Sequence, residues 1–202
     1  MTLWRGKHPL ILASKSRARQ ALLANAGISF EVVPAEIDER AVQQASGLAA
    51  PDAIAALLAR EKALAVSKGH AGGFVVGADQ TLALGERLFS KPAGRAEAAE
   101  QLGALAGHRH ELHSAVAVAR DGKIIFADAS TAGMTMRRLG KAEIDAYLDR
   151  AGDAVTSSVG AYQLEGLGVH LFERIEGDHF TILGLPLLPL LAFLRSQQLL
   201  VV

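Results

Sequence analysis

The chain has 202 residues, 50% hydrophobic and 21% charged, a size for one compact domain or two small lobes and a composition that excludes long disorder. Twenty-one basic residues offset twenty-one acidic ones, so no net field draws the chain to nucleic acid or an anionic membrane, and a small anionic ligand needs a local basic cluster. The absence of cysteine excludes disulfides, thiolate metal sites and cysteine nucleophiles, and fits a reducing cytoplasm, the expected location.

Arg5 and Lys7 precede the apolar run Leu10–Ala13, which is too short for a secretory signal and reads as a buried strand. A helix is expected from Arg17 to Ala26, with Leu22 and Leu23 inward and Gly27 as its stop. Phe30–Val33 reads as a second strand, followed by the acidic Glu36–Glu39. A long alanine-rich helix is expected over Asp52–Lys68, between Pro51 and Gly69. Phe74–Ala78 reads as a buried strand ending on Asp79, and Leu82–Leu84 with Arg87–Phe89 as a hairpin around Gly85-Glu86.

A helix from Arg95 to Ala106 closes on Gly107. Leu112–Arg120 and Ile124–Ala129 flank the turn signal Asp121-Gly122, and Thr131–Arg138 continues the sheet. Lys141–Arg150 has the period of an amphipathic helix with Ile144, Tyr147 and Leu148 inward. Val169–Phe172 reads as a late strand before the Gly177-Asp178 turn. Phe180–Leu194 is apolar but interrupted by Gly184, Pro186 and Pro189, so it reads as a buried C-terminal helix, not a membrane span. The alternation gives an α/β architecture, and the hairpins make its sheet mixed.

The segment Ser14-Lys-Ser-Arg-Ala-Arg19 joins a strand to a helix. Free N–H groups at a helix start, two hydroxyls and three cations make a phosphate cradle; an N-capping Ser16 among solvated cations is the plainer alternative. Asp79 stands where open α/β sheets gather ligands, and there a carboxylate orients a metal or takes a proton from water. An Asx turn is the plainer account. Lys62 and Lys91 are lone cations, the second beside Pro92, and Glu39 ends an acidic cluster. Together these residues supply what phosphate-ester hydrolysis needs: cations for the polyphosphate, and carboxylates for a metal and a water. His108-Arg-His-Glu-Leu-His113 lacks the H-E-x-x-H spacing. Gly160–Gly166 does not match G-x-G-x-x-G, and no G-x-x-x-x-G-K-[ST] occurs.

In order along the chain, Leu10–Ser16, Ile37–Glu39, Ala59–Ala63, Val76–Gln80, Lys91-Pro92, Ala106–His108, Gly160–Tyr162, Ile175–Asp178 and Gly184–Pro186 resemble the Maf family of nucleoside triphosphate pyrophosphatases. The resemblance covers about Leu10 to Leu194. It implies a single domain over residues 1–202: a mixed twisted sheet flanked by helices in an elongated two-lobed fold with a central cleft, like that of the inosine triphosphatases. It further implies a divalent cation (Mg²⁺, Mn²⁺ or Co²⁺), a nucleoside triphosphate substrate, a homodimer, and neither a nucleic acid nor a membrane partner.

By the same resemblance Asp79 is the catalytic aspartate, as base or as metal ligand, with Glu39 a second metal ligand. Ser14, Arg19, Lys62 and Lys91 bind substrate. Ala18, Gln80 and Glu165 stand at the positions associated with base selection. Gln80 and Glu165 resemble the branch acting on 7-methyl-GTP rather than the dTTP/UTP branch, while Ala18 replaces that branch's usual Trp. An ionised Glu165 accepts from the N1–H and 2-amino group of guanine, whereas uracil and thymine offer a single ring N–H on that edge. The alternative function is a regulatory, protein-binding role in septum formation, for which an intact set of Asp79, Lys62, Lys91 and Glu39 has no use.

Overall fold

The structure is a computed structural model describing residues 3–202; Met1 and Thr2, where the expected domain begins, lie outside the described residues. Its strands are β1 (Leu10–Leu12), β2 (Phe30–Val32), β3 (Val75–Leu84), β4 (Arg87–Phe89), β5 (Arg109–Arg120), β6 (Lys123–Met136) and β7 (Phe172–Glu176). Its helices are α1 (Arg17–Asn25), α2 (Glu39–Ser46), α3 (Pro51–Ser67), α4 (Arg95–Leu105), α5 (Lys141–Ala151), α6 (His179–Ile182) and α7 (Leu187–Ser196). The seven strands form a mixed, open sheet in the order β2-β1-β3-β5-β6-β7, with β4 paired to β3. The chain divides into two compact units, the first comprising Met1–Gln80, Ser114–Ser130 and His179–Val202, the second Thr81–His113 and Thr131–Asp178.

In the first unit, the fully buried β1 pairs in parallel with β2 (Leu10↔Phe30) and with β3 (Leu12↔Val76). Parallel neighbours require crossovers; α1 makes the first, and α2 with α3 the second. Ser16 caps α1, its Oγ accepting from Arg19 N at 3.4 Å, and Gly27 ends the turn at φ 68°. Helix α2 is not expected from the sequence. It is eight residues long and buries none of them. Its cap does the marking: Asp38 accepts from Ala41 N at 3.0 Å.

Helix α3 turns Ala55, Ala59 and Ala63 onto Ala115, Ala117 and Ala119 of β5. The approach to β3 is closer still. A Cβ on Gly77 would lie 2.2 Å from the Ala59 carbonyl oxygen and 2.6 Å from Ala63 N, so only glycine lets the helix settle there. The main core gathers Trp4, Leu10, Leu12, Leu23, Val116, Val118, Leu190 and Leu194. The expected C-terminal helix is in fact two, α6 and α7, because Gly184 at φ 89° breaks the run before Pro186.

In the second unit, the hairpin of β3 and β4 forms as expected, with Leu82 opposite Phe89 and Gly85 at φ 59°. Strand β6 is continuous to Met136, merging two expected strands. Helix α5 buries Ile144 and Leu148 and half-buries Tyr147. The expected strand Val169–Phe172 is corrected: Leu167–Leu171 is a 3₁₀ segment, and β7 starts at Phe172, antiparallel to β6. The cause is Gly168, where a Cβ would fall 2.4 Å from the Gln163 carbonyl oxygen. The chain folds back too tightly there for a strand.

Candidate active site

Asp79 does not end its strand. β3 carries on to Leu84, while β1 stops at Leu12, so Asp79 lies beyond the last residue of its parallel neighbour. This still puts it past the carboxyl end of a parallel pair, where ligands of such sheets collect. Its side chain is buried and accepts from Lys62 Nζ at 2.5 Å. Lys62, on α3, is also buried, only 8% exposed, and its ammonium reaches Glu39 Oε1 at 2.8 Å. Lys62 is therefore not a surface lysine; it bridges a buried carboxylate to an exposed one at the start of α2. Burial pushes the Asp79 carboxyl above its ordinary range, and the charges of Lys62 and Arg19 pull against that rise.

Arg19 projects from the first turn of α1. Its Nε donates to the Gly184 carbonyl at 2.7 Å, and its Nη1 donates to the Ala78 carbonyl at 2.8 Å and to Ser14 Oγ at 3.2 Å. Two of its three nitrogens are thus committed to the protein. Burial lowers its pKa from the ordinary arginine value, and Asp79 with Glu39 holds it up. Ser14 Oγ also accepts from Ser16 N at 3.2 Å, which shapes the loop into α1. The neighbouring Lys15 and Arg17 are exposed.

Ser14, Arg19, Glu39, Lys62 and Asp79 are brought together in the first unit, with Ala18 half-buried beside Arg19. Gln80 follows Asp79 and turns its amide into the protein: Nε2 lies 2.9 Å from Ser114 Oγ, 3.0 Å from the Ile182 carbonyl and 3.1 Å from the Thr181 carbonyl. Lys91 and Glu165 belong to the second unit, and both are exposed. Burial pushes the Tyr147 phenol up to about 12, and the charge of Glu165 adds to that rise. Of the histidines in the segment 108–113, His110 is buried against the Tyr162 hydroxyl at 2.7 Å, and His113 meets Thr131 Oγ1 at 3.0 Å. Sequence reasoning missed Ser114, a fully buried hydroxyl that donates to the Thr181 carbonyl at 2.7 Å. Its one signal was a serine directly before the apolar run from Ala115 to Ala119.

The site thus gathers a buried carboxylate held by a lysine and flanked by an arginine, on an α/β sheet. The profile described as Maf-like protein matches residues 9–197, and the chain belongs to the Maf family. It is 72% identical over 202 residues, all of both chains, to a protein of Bradyrhizobium diazoefficiens named nucleoside triphosphate pyrophosphatase. It is 69% identical, again over the full length of both, to one of the same name from Rhodopseudomonas palustris. A Brucella abortus protein named 7-methyl-GTP pyrophosphatase is 53% identical over 192 residues, 94% of this chain and 96% of that one.

Proposed function

We propose that this chain hydrolyses nucleoside triphosphates at the α–β phosphoanhydride, releasing a nucleoside monophosphate and pyrophosphate. The observation that carries this reading is the buried Asp79 carboxylate, bridged by Lys62 to Glu39 and flanked by Arg19. The full-length identity to relatives named for that activity supports it. A water oxygen forms a bond to the α-phosphorus, the P–O bond to the bridging oxygen breaks, and pyrophosphate leaves with that oxygen. Asp79 accepts the proton released by the water, a task suited to a carboxylate whose proton affinity burial has raised. Lys62 fixes the orientation of that carboxylate and, with Ser14, neutralises or donates to the polyphosphate.

Asp79 and Glu39 each give one oxygen to Lys62, which leaves each a second. Among the described residues no group of three or more histidines or carboxylates gathers. A pair of carboxylates completed by substrate phosphates is nevertheless the donor set that suits Mg²⁺ or Mn²⁺. A divalent cation held there by Asp79 and Glu39 would supply charge neutralisation and acidify a bound water.

The substrate base proposed is a guanine type, 7-methyl-GTP among them. Glu165, an acceptor only, supports this, as does the name of the Brucella relative. The small Ala18 side chain leaves room where a stacking residue would stand, which favours a broad range. Action in the cytoplasm and as a homodimer is proposed with it. The experiment is pyrophosphate release from GTP, 7-methyl-GTP, dTTP, UTP, ATP and CTP with Mg²⁺, Mn²⁺ or Co²⁺. Turnover abolished by EDTA and restored by metal is expected. No release from any triphosphate overturns the reading, and a strong preference for dTTP and UTP overturns the role of Glu165.

A further inference from the structure

We propose that Gln80 is a positioning residue for the Asp79 strand and not a reader of the substrate base. The inference rests on the pyrophosphatase reading for its kinetic part. Two of the acceptors around Gln80 Nε2 are carbonyl oxygens, of Thr181 at 3.1 Å and Ile182 at 3.0 Å. A carbonyl only accepts, so the amide nitrogen, not its oxygen, must face them. Both N–H bonds are then committed within the protein, and no donor on this side chain is left for a base edge.

Those hydrogen bonds hold one short segment. Ser114 Oγ accepts from Gln80 and donates its own hydrogen bond to the Thr181 carbonyl at 2.7 Å. Three residues further on, the Gly184 carbonyl receives Arg19 Nε at 2.7 Å, and the same guanidinium donates to the Ala78 carbonyl at 2.8 Å. The turn from Thr181 to Gly184 is therefore tied to the residue before Asp79 through Arg19 and to the residue after it through Gln80. Gly184 is fitted to this: its φ is 89°, and a Cβ would lie 3.3 Å from Arg19 Nη2 and 3.7 Å from the Gln80 amide carbon. The clamp fixes the backbone on both sides of the reacting carboxylate and holds the Arg19 charge beside it.

Ser114 separates the two roles, because it is wholly buried and cannot touch a nucleotide. Ser114→Ala and Gln80→Leu are compared with the wild type in steady-state kinetics over the triphosphate panel and in amide exchange of Leu183, Gly184 and Leu185. Those amides donate to His179, Thr181 and Phe180 carbonyls inside the turn. The clamp gives faster exchange at these amides in both variants. It also gives a kcat lower by about 10- to 100-fold in Gln80→Leu and by less in Ser114→Ala, with KM and the ranking of bases held within about threefold. Unchanged exchange in Gln80→Leu overturns the proposal, and so does a base ranking that shifts beyond that limit. A wild type that cleaves no triphosphate removes the pyrophosphatase reading, and the exchange data alone then decide whether the clamp exists.

Discussion

Replacing Asp79 with Asn keeps the shape of the side chain and removes its charge, leaving Lys62 paired with Glu39 alone. The expected loss is about 10²–10⁴ in rate at saturating substrate and metal, measured as pyrophosphate release. Wild-type turnover in that variant would dismiss Asp79 as the central group. His110 makes a prediction of the opposite electrostatic kind. Burial lowers its pKa from 6.5 to about 4, the backbone near His108 opposing this only in part, and its Nδ1 has no close hydrogen-bond partner. The folded state therefore refuses a proton that the unfolded chain takes up. The stability this gives is full above pH ~6.5 and is lost as pH falls toward ~4, by up to about 3 kcal/mol. Denaturant melts at neutral pH and in that acid window should show the slope, and His110→Gln should flatten it. Asp79, Lys62 and Glu39 were legible in the sequence because motif order places them. The inward turn of Arg19 was not, since two of its three partners are backbone carbonyls, one of them 165 positions away, and carbonyls carry no residue-type signal.

At the scale of elements, the distance between α3 and β3 decides whether Lys62 reaches Asp79. Gly77→Ala puts a methyl into the backbone of Ala59 and Ala63. The expected cost is about 1–3 kcal/mol from overpacking, together with a fall in kcat as the helix that carries Lys62 is displaced. Thermal melts and kinetics on the same preparation check both, and an unchanged kcat would detach the helix position from catalysis. Asp38→Ala removes the cap of α2 and should cost about 1 kcal/mol, with faster amide exchange at Ala41 as its local mark. Strands β1 to β6 and the long helices were legible because β1, β3 and α3 bury continuous or periodic apolar faces. Helix α2 and the 3₁₀ segment Leu167–Leu171 were not. One buries nothing, and the other is set by how closely Gly168 passes the backbone of Gln163.

For the whole molecule, the division into two units was implied by the resemblance rather than by any linker, because the chain changes unit inside continuous strands after Gln80 in β3, before Ser114 in β5 and after Ser130 in β6, and once more after Asp178, between β7 and α6. No composition shift marks such a crossing. The placement of the large aromatics adds an optical consequence. The sole tryptophan, Trp4, is buried in the core of the first unit with its indole N–H on the His8 carbonyl at 2.7 Å. Both tyrosines, Tyr147 and Tyr162, lie in the second unit, and Tyr162 is the one bonded to His110. Each unit thus carries its own natural chromophore. Indole emission excited at the red edge of its band follows the first unit, while phenol absorption follows the second. On acidification the tyrosine signal should move first, with protonation of His110, while Trp4 emission holds. Simultaneous change in both signals would mean that the acid-sensitive step is not the one at His110.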